Sequence, residues 1–148
     1  MHNNLYMRKK YNIPVLYLRM ALGIGFILPV MDRFGWLGPG GQNGNSWGNW
    51  VSFVDYTHTL MPFVNKMFAG AAAVIATGAE LIFAIMFLVG YKVKLAAYGS
   101  FLLTLVFALS MLAFAGYRAP FTYSVFVCSA ACLYLATVLE DQDKNFKC

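Results

Sequence analysis

Residues 67–90, MFAGAAAVIATGAELIFAIMFLVG, decide the fold class of this chain. The run is apolar apart from Thr77 and the single charge of Glu80. An α-helix needs about 20 mostly apolar residues to cross the hydrocarbon core of a bilayer, so the run predicts a transmembrane helix. The connection that follows, Tyr91–Lys94, is very short, and it therefore predicts an antiparallel hairpin with the next helix.

Three other segments have the same apolar character. Together the four predicted helices cover, approximately, residues 13–31, 67–90, 95–115 and 119–139. The third predicted helix contains no charged residue, and a short connection, Gly116–Arg118, joins it to the fourth. The sequence therefore predicts an all-α membrane protein, a four-transmembrane-helix bundle that forms a single membrane domain over residues 1–148.

Composition agrees with a membrane location and excludes one class of partner. The chain is 60% hydrophobic and 11% charged, with a mean hydropathy of +0.62, whereas soluble domains carry about 25% charged residues. The formal net charge is +5, but the basic residues cluster at the predicted helix ends rather than along a stripe with aromatic residues. We therefore expect a lipid bilayer as the surroundings and no nucleic acid as a partner.

The distribution of lysine and arginine predicts the orientation. If the N-terminus is cytoplasmic, seven basic residues lie inside and three outside. The inside set is Arg8, Lys9, Lys10, Lys92, Lys94, Lys144 and Lys147, and the outside set is Arg33, Lys66 and Arg118. This excess predicts cytoplasmic N- and C-termini. The first helix is expected to be retained and not cleaved as a signal peptide, because Arg19 interrupts it and no A-x-A-like site follows Met31.

Residues 32–66 form a long outer loop between predicted helices 1 and 2. Its first part, Gly35–Ser46, is glycine-rich and is predicted to be irregular. Its second part, Trp47–Met61, has apolar residues at helical spacing, with Ser46 as the expected N-cap and Pro62 as the stop. All three tryptophans lie between residues 36 and 50, and tryptophan favours the membrane–water interface. We therefore predict a short interfacial helix that caps the bundle.

Arg19 and Glu80 are ionisable residues within predicted spans, where a charge is costly and marks a functional hypothesis. They lie roughly 9 and 15 Å from the cytoplasmic end of the bundle, a difference that an arginine side chain spans. The helical face that carries Glu80 also carries the small residues Ala73, Ala76, Thr77 and Ala84. The sequence therefore predicts a polar intramembrane pair, Arg19–Glu80, between helices 1 and 2. Its role is either structural, by fixing the register of the helices, or functional, as a pocket for a head group or a proton relay.

Other polar residues form weaker candidate sites. Asp32, Arg33 and Arg118 are predicted to form an outer charged cluster, either structural or able to hold an anion. Cys128 and Cys132 share a face of helix 4 and are interpreted as packing residues or, alternatively, as a thiol pair that faces a quinone. His58 has no second histidine nearby, so no metal site is predicted.

Three segments resemble the DoxX family of small four-helix bacterial membrane proteins. They are LYLRMALGIGFILPVMDRFG at 16–35, GAELIFAIMFLVGYKVKLAA at 78–97 and RAPFTYSVF at 118–126. The resemblance spans roughly residues 16–136 and implies the bacterial inner membrane as the location. It also implies a link to quinone-coupled or thiol redox systems, with Arg19 and Glu80 as the family-like charged positions.

These patterns predict, first, a membrane subunit linked to a quinone-coupled redox system, with quinone as a candidate cofactor. Arg19 and Glu80 would line its polar pocket, and Asp32, Arg33 and Arg118 would form the outer side. The alternative is a non-catalytic accessory, scaffold or assembly subunit of a larger membrane complex, and a small transporter component is a third hypothesis. Expected partners are other membrane subunits or further copies of the chain. No catalytic motif assigns an enzymatic activity.

Overall fold

The computed structural model describes the backbone of residues 13–147 and the side chains of residues 13–141. All regular secondary structure in this part of the chain is helical, which confirms the all-α prediction. The predicted orientation rests in part on Arg8, Lys9 and Lys10, which lie outside the described residues, as does Cys148.

Six α-helices follow one another within residues 13–147. They are α1 (Ile13–Arg33), α2 (Trp50–Thr59), α3 (Lys66–Val89), α4 (Val93–Ser110), α5 (Ala119–Thr122) and α6 (Val125–Lys147), and a π-helical turn, Met111–Ala115, continues α4. Within the described residues, three helical stretches are long and apolar enough to cross a membrane: Ile13–Arg33, Lys66–Val89 and Val93–Ala115. The chain is therefore consistent with a membrane protein, whereas a fourth span stays a prediction.

The last predicted helix, residues 119–139, differs most from the structure. A single turn, α5, begins beside Pro120, and the chain then breaks before α6 begins at Val125. Ser124 has a left-handed backbone, with φ of 53°, which a continuous helix does not accommodate. From there α6 runs on past residue 139 to Lys147. The break turns the chain so that α6 packs along α4 in the opposite direction, with Tyr98 bonded to Glu140 and Ser129 to the carbonyl of Phe101.

Small residues let α1 and α3 approach closely. The predicted face of α3 is buried, with Ala73, Ala76, Thr77, Glu80 and Ala84 all inaccessible or nearly so. On α1, a Cβ added to Gly23 would lie 2.8 Å from Leu88, so only glycine fits the contact without a shift. Close approach of this kind increases van der Waals contact between helices, which is a main source of association in membranes.

Helix α2 packs along the first half of α3 in the antiparallel sense. Trp50 and Val74 line one groove on the surface of this pair, Val54 lies beside Gly70, and Asp55 forms a 2.5 Å ion pair with Lys66. The helix begins later than predicted, because Asn49 and not Ser46 is the N-cap and accepts a hydrogen bond from the backbone N–H of Ser52. The interfacial location of α2 stays a prediction.

Candidate functional site

A buried ion pair joins the end of α1 to the middle of α3. Nη1 of Arg33 lies 2.6 Å from Oε2 of Glu80, and the two side chains are only 3% and 8% exposed. The same Nη1 donates a hydrogen bond of 2.8 Å to the hydroxyl of Thr77, one turn before Glu80. Buried ions are costly unless they are paired, so this contact is a strong constraint on how α1 and α3 pack.

Aromatic rings cover the Arg33 guanidinium. Its central carbon lies 3.8 Å from the ring centroid of Phe53 and 5.2 Å from that of Trp47. Phe53 comes from α2 and is completely buried, whereas Trp47 comes from the loop before that helix. A cation over a ring face is attracted by the quadrupole of the ring, so α2 and its loop stabilise the charge that α1 supplies.

The predicted partner of Glu80 needs correction, because Glu80 pairs with Arg33 and not with Arg19. Arg19 lies instead at the C-terminal end of α3, beside Gly90. A Cβ added to Gly90 would be 2.8 Å from a guanidinium nitrogen of Arg19. Gly90 lies ten residues beyond Glu80, or roughly 15 Å along a helix. Helical side chains lean toward the N-terminus of their own helix. In antiparallel α1 and α3, Arg33 and Glu80 therefore lean toward each other, whereas Arg19 leans away from Glu80.

The predicted outer cluster of Asp32, Arg33 and Arg118 does not form as one group. The Asp32 carboxylate accepts three backbone N–H bonds, at 2.8, 3.1 and 2.9 Å, from Ser46, Trp47 and Gly48 respectively. Asp32 is therefore an anchor for the glycine-rich loop rather than a partner for Arg118, whose side chain is exposed beside α5.

A cavity of about 820 Å³ lies beside the ion pair. Its walls come from α1, α2, α3, α4, α6, the loop before α2 and the π-helical turn, and they are mostly apolar, with Phe26, Phe53, Phe107 and Met111 among them. Met111 begins the π-helical turn, a distortion that is frequent at functional sites. Arg33 and Glu80 both line the cavity, so its surface combines apolar walls with one strongly polar region.

Two hydrogen-bond donors on residues of the cavity lining are buried and unsatisfied. Nε of Arg33 and the hydroxyl of Tyr56 have no hydrogen-bond partner among the residues that the structure describes. Burial raises the pKa of Tyr56, and the nearby Tyr123 raises it further, so the hydroxyl stays protonated and is available as a donor. Buried polar groups are nearly always bonded, so two unsatisfied donors on residues that line one cavity call for an explanation.

Cys128 and Cys132, the candidate thiol pair, differ in their surroundings. Cys132 is fully buried in the core, as a packing residue would be. Cys128 is partly buried and lines the same cavity as Glu80. Both are free thiols.

His58 has a local structural contact. Its Nε2 lies 3.0 Å from the carbonyl oxygen of Val64. Because a carbonyl oxygen only accepts, Nε2 carries the proton, and the hydrogen bond stabilises the turn between α2 and α3. Within the described residues, no group of three His, Cys, Asp or Glu side chains is arranged to hold a metal ion.

Sequence reasoning missed Phe53, Tyr56 and the true role of Arg33. The direction in which helical side chains lean is a signal that favours Arg33 over Arg19 as the partner of Glu80. No comparable signal identifies Phe53 and Tyr56, because their place in the site depends on how α2 folds back along α3. Comparison of the chain with protein families, with curated proteins and with solved structures finds no match.

Proposed function

We propose that this chain binds a quinone in the cavity beside Arg33 and Glu80, as a membrane subunit of a quinone-coupled redox system. The observation that carries the proposal is the pair of buried, unsatisfied donors, Arg33 Nε and the Tyr56 hydroxyl, in the lining of an apolar cavity. The resemblance to the DoxX family is in line with such a role and stays a prediction.

The chemistry of a quinone matches these features. Its ring carries carbonyl oxygens, which accept hydrogen bonds, and its remaining surface and tail are apolar. The cavity volume of about 820 Å³ falls within the range of small-molecule sites, roughly 300–1,000 Å³. Phe26, Phe107 and Met111 supply apolar walls, and Arg33 and Tyr56 supply donors for the carbonyl oxygens.

Glu80 is the acid–base group of the proposed site. Reduction of a quinone takes up protons as well as electrons, and Glu80 is the carboxylate that pairs with Arg33 in the cavity wall. In this proposal Arg33 orients the ring, Glu80 passes protons, and the electrons come from a partner subunit. The proposal places the chain in a bacterial inner membrane with α6 as a fourth span and both termini in the cytoplasm.

The test is the quinone content of protein purified from native membranes in a mild detergent. Wild type is expected to retain quinone in stoichiometric amount, whereas Tyr56→Phe is expected to retain about a tenth, the effect of losing one good hydrogen bond. Glu80→Gln is also expected to retain less quinone than wild type, because it removes the charge that holds Arg33 in position. Tyr117→Phe is the matched control, because Tyr117 is 74% exposed and lies outside the cavity lining.

The rival proposal is a non-catalytic accessory subunit. It is favoured by the contacts of Arg33 Nη1, which bonds both Glu80 and Thr77 and so pins α1 to α3 without a ligand. Protein that carries no quinone but co-purifies with a larger membrane complex supports this rival and counts against the quinone site.

A further inference from the structure

The residues that line the cavity indicate an opening on the side of the bundle, between α1 and α6. Leu22 of α1 and Leu135 and Ala136 of α6 belong to one core cluster, so the two helices share a core over part of their length. Further toward the ion pair, Gly25 of α1 and Val125 of α6 line the cavity instead. A Cβ added to Gly25 would meet no atom within 4 Å, so this glycine borders open space.

Exposed apolar side chains lie near Gly25 in α1 and near Val125 in α6. Ile24 and Leu28, on either side of Gly25 in α1, are 50% and 45% exposed, and Val127 of α6 is 69% exposed. Gly25 also lies in the middle of α1, one of the helices that is apolar enough to cross a membrane. Exposed apolar surface in the middle of such a helix faces hydrocarbon, so the opening connects the cavity with the lipid phase.

The other side of the cavity has a different chemistry. Polar residues of the glycine-rich loop, including Asn43, Asn45 and Ser46, line it there. An apolar tail gains nothing from contact with amide and hydroxyl groups, whereas the opening beside Gly25 offers apolar contact from the cavity wall outward.

From this asymmetry we infer that the ligand enters sideways from the bilayer, between α1 and α6 at Gly25, and leaves a long apolar tail in the opening. The ligand is therefore a lipid-soluble molecule with a polar ring and a long tail, rather than a water-soluble one. This inference rests on the proposed quinone site for the polar ring, and it adds the route and the tail.

The first test compares two probes that share the ring of 2,3-dimethoxy-5-methylbenzoquinone. One probe carries a ten-isoprene tail and the other has no tail. Gly25→Leu places a side chain in the opening and is expected to weaken binding of the long-tailed probe by about tenfold while changing the tail-less probe less than about twofold. Gly78→Leu is the matched control, because Gly78 is also a helical glycine with no atom within 4 Å of an added Cβ, and it lies outside this cavity.

An equal effect of Gly25→Leu on both probes, or no effect on the long-tailed probe, overturns the lateral route. If wild type binds neither probe, the proposed quinone function fails, and the opening is judged by a measurement that needs no quinone. In a variant with Trp36→Phe and Trp50→Phe, the remaining tryptophan is Trp47, which lines the cavity.

That variant is reconstituted in phosphatidylcholine brominated at the middle of its acyl chains. Bromine quenches tryptophan fluorescence on contact, so an acyl chain that reaches the cavity quenches Trp47. We expect quenching that Gly25→Leu abolishes and Gly78→Leu leaves unchanged. Quenching that is absent, or that Gly25→Leu does not alter, overturns the lateral opening independently of what the site binds.

Discussion

The two ends of the helical bundle are held together by different means. At one end, which we call the packed end, Phe87, Ala96 and Ala136 are fully buried in a continuous apolar core. At the other, the cavity end, Arg33 and Glu80 are buried beside about 820 Å³ of open space. Dispersion contacts between small residues hold the packed end, whereas an ion pair and a few hydrogen bonds hold the cavity end. The two ends of the bundle are thus stabilised by different interactions, and open space is found beside the ion pair.

Two buried carboxylates illustrate the difference within the cavity end. Asp32 accepts three backbone N–H bonds from the loop that it anchors. Glu80 instead faces Arg33, whose Nε remains without a partner. Asp32 is therefore committed to structure, while the Arg33–Glu80 pair retains hydrogen-bonding capacity for another molecule.

The largest loss of stability is expected from Arg33→Met. The substitution leaves the Glu80 charge buried and unpaired, so we expect the free energy of unfolding to fall by about 3–5 kcal/mol. Unfolding by a denaturing detergent in mixed micelles measures it. The double variant Arg33→Met/Glu80→Gln should recover much of the loss, and a double variant as unstable as the single one would show that the ion pair is not the cause.

Asp32→Asn is expected to have the next largest effect. The neutral amide accepts fewer and weaker bonds from the backbone of residues 46–48, so the expected loss is about 1.5–3 kcal/mol, the value of hydrogen bonds to a charged group. The loop should also be cleaved faster in limited proteolysis. Asp55→Asn is the control, because the Asp55–Lys66 pair is exposed and contributes little. Equal cleavage rates in both variants would contradict the anchoring role of Asp32.

Two glycines on α1 test the contrast between the ends directly. Gly23→Ala pushes a methyl group against Leu88, so we expect a loss of about 1 kcal/mol from overpacking. Gly25→Ala adds the same group in open space, and the higher helix propensity of alanine should raise stability by up to about 1 kcal/mol. The same unfolding measurement gives the change in stability for both variants. A loss of equal size at both positions would show that the cavity end is packed as tightly as the packed end.

Helical periodicity alone predicts part of this structure. The buried face of α3, with Ala73, Ala76, Thr77 and Ala84 beside Glu80, follows from residue spacing and is confirmed. Spacing within one helix carries no information on how far two helices slide past each other, and for that reason it did not identify Arg33 as the partner of Glu80.

Local sequence signals were also incomplete. The break at Ser124 depends on a left-handed residue that is not glycine, a conformation that composition does not reveal. Ser46 was predicted as the N-cap of α2, but Asn49 caps the helix, and the backbone N–H of Ser46 donates to Asp32 instead. The cavity itself results from the packing of segments that are far apart in the sequence, so no single stretch of sequence indicates it.

The smallest expected change in stability is that of Tyr56→Phe, and its size separates a binding role from a structural one. Removing a hydroxyl that makes a hydrogen bond costs about 1 kcal/mol, as expected for Thr77→Val, whose hydroxyl accepts a bond from Arg33. The Tyr56 hydroxyl is buried without a partner, so its removal should leave stability unchanged or raise it by up to about 1 kcal/mol. Two quantities are measured for each variant: the free energy of unfolding of ligand-free protein, and the quinone content of protein purified from native membranes. Unchanged stability with lost quinone identifies the hydroxyl as a ligand-binding group, whereas a loss of stability comparable to that of Thr77→Val would mean that the protein itself uses this hydroxyl.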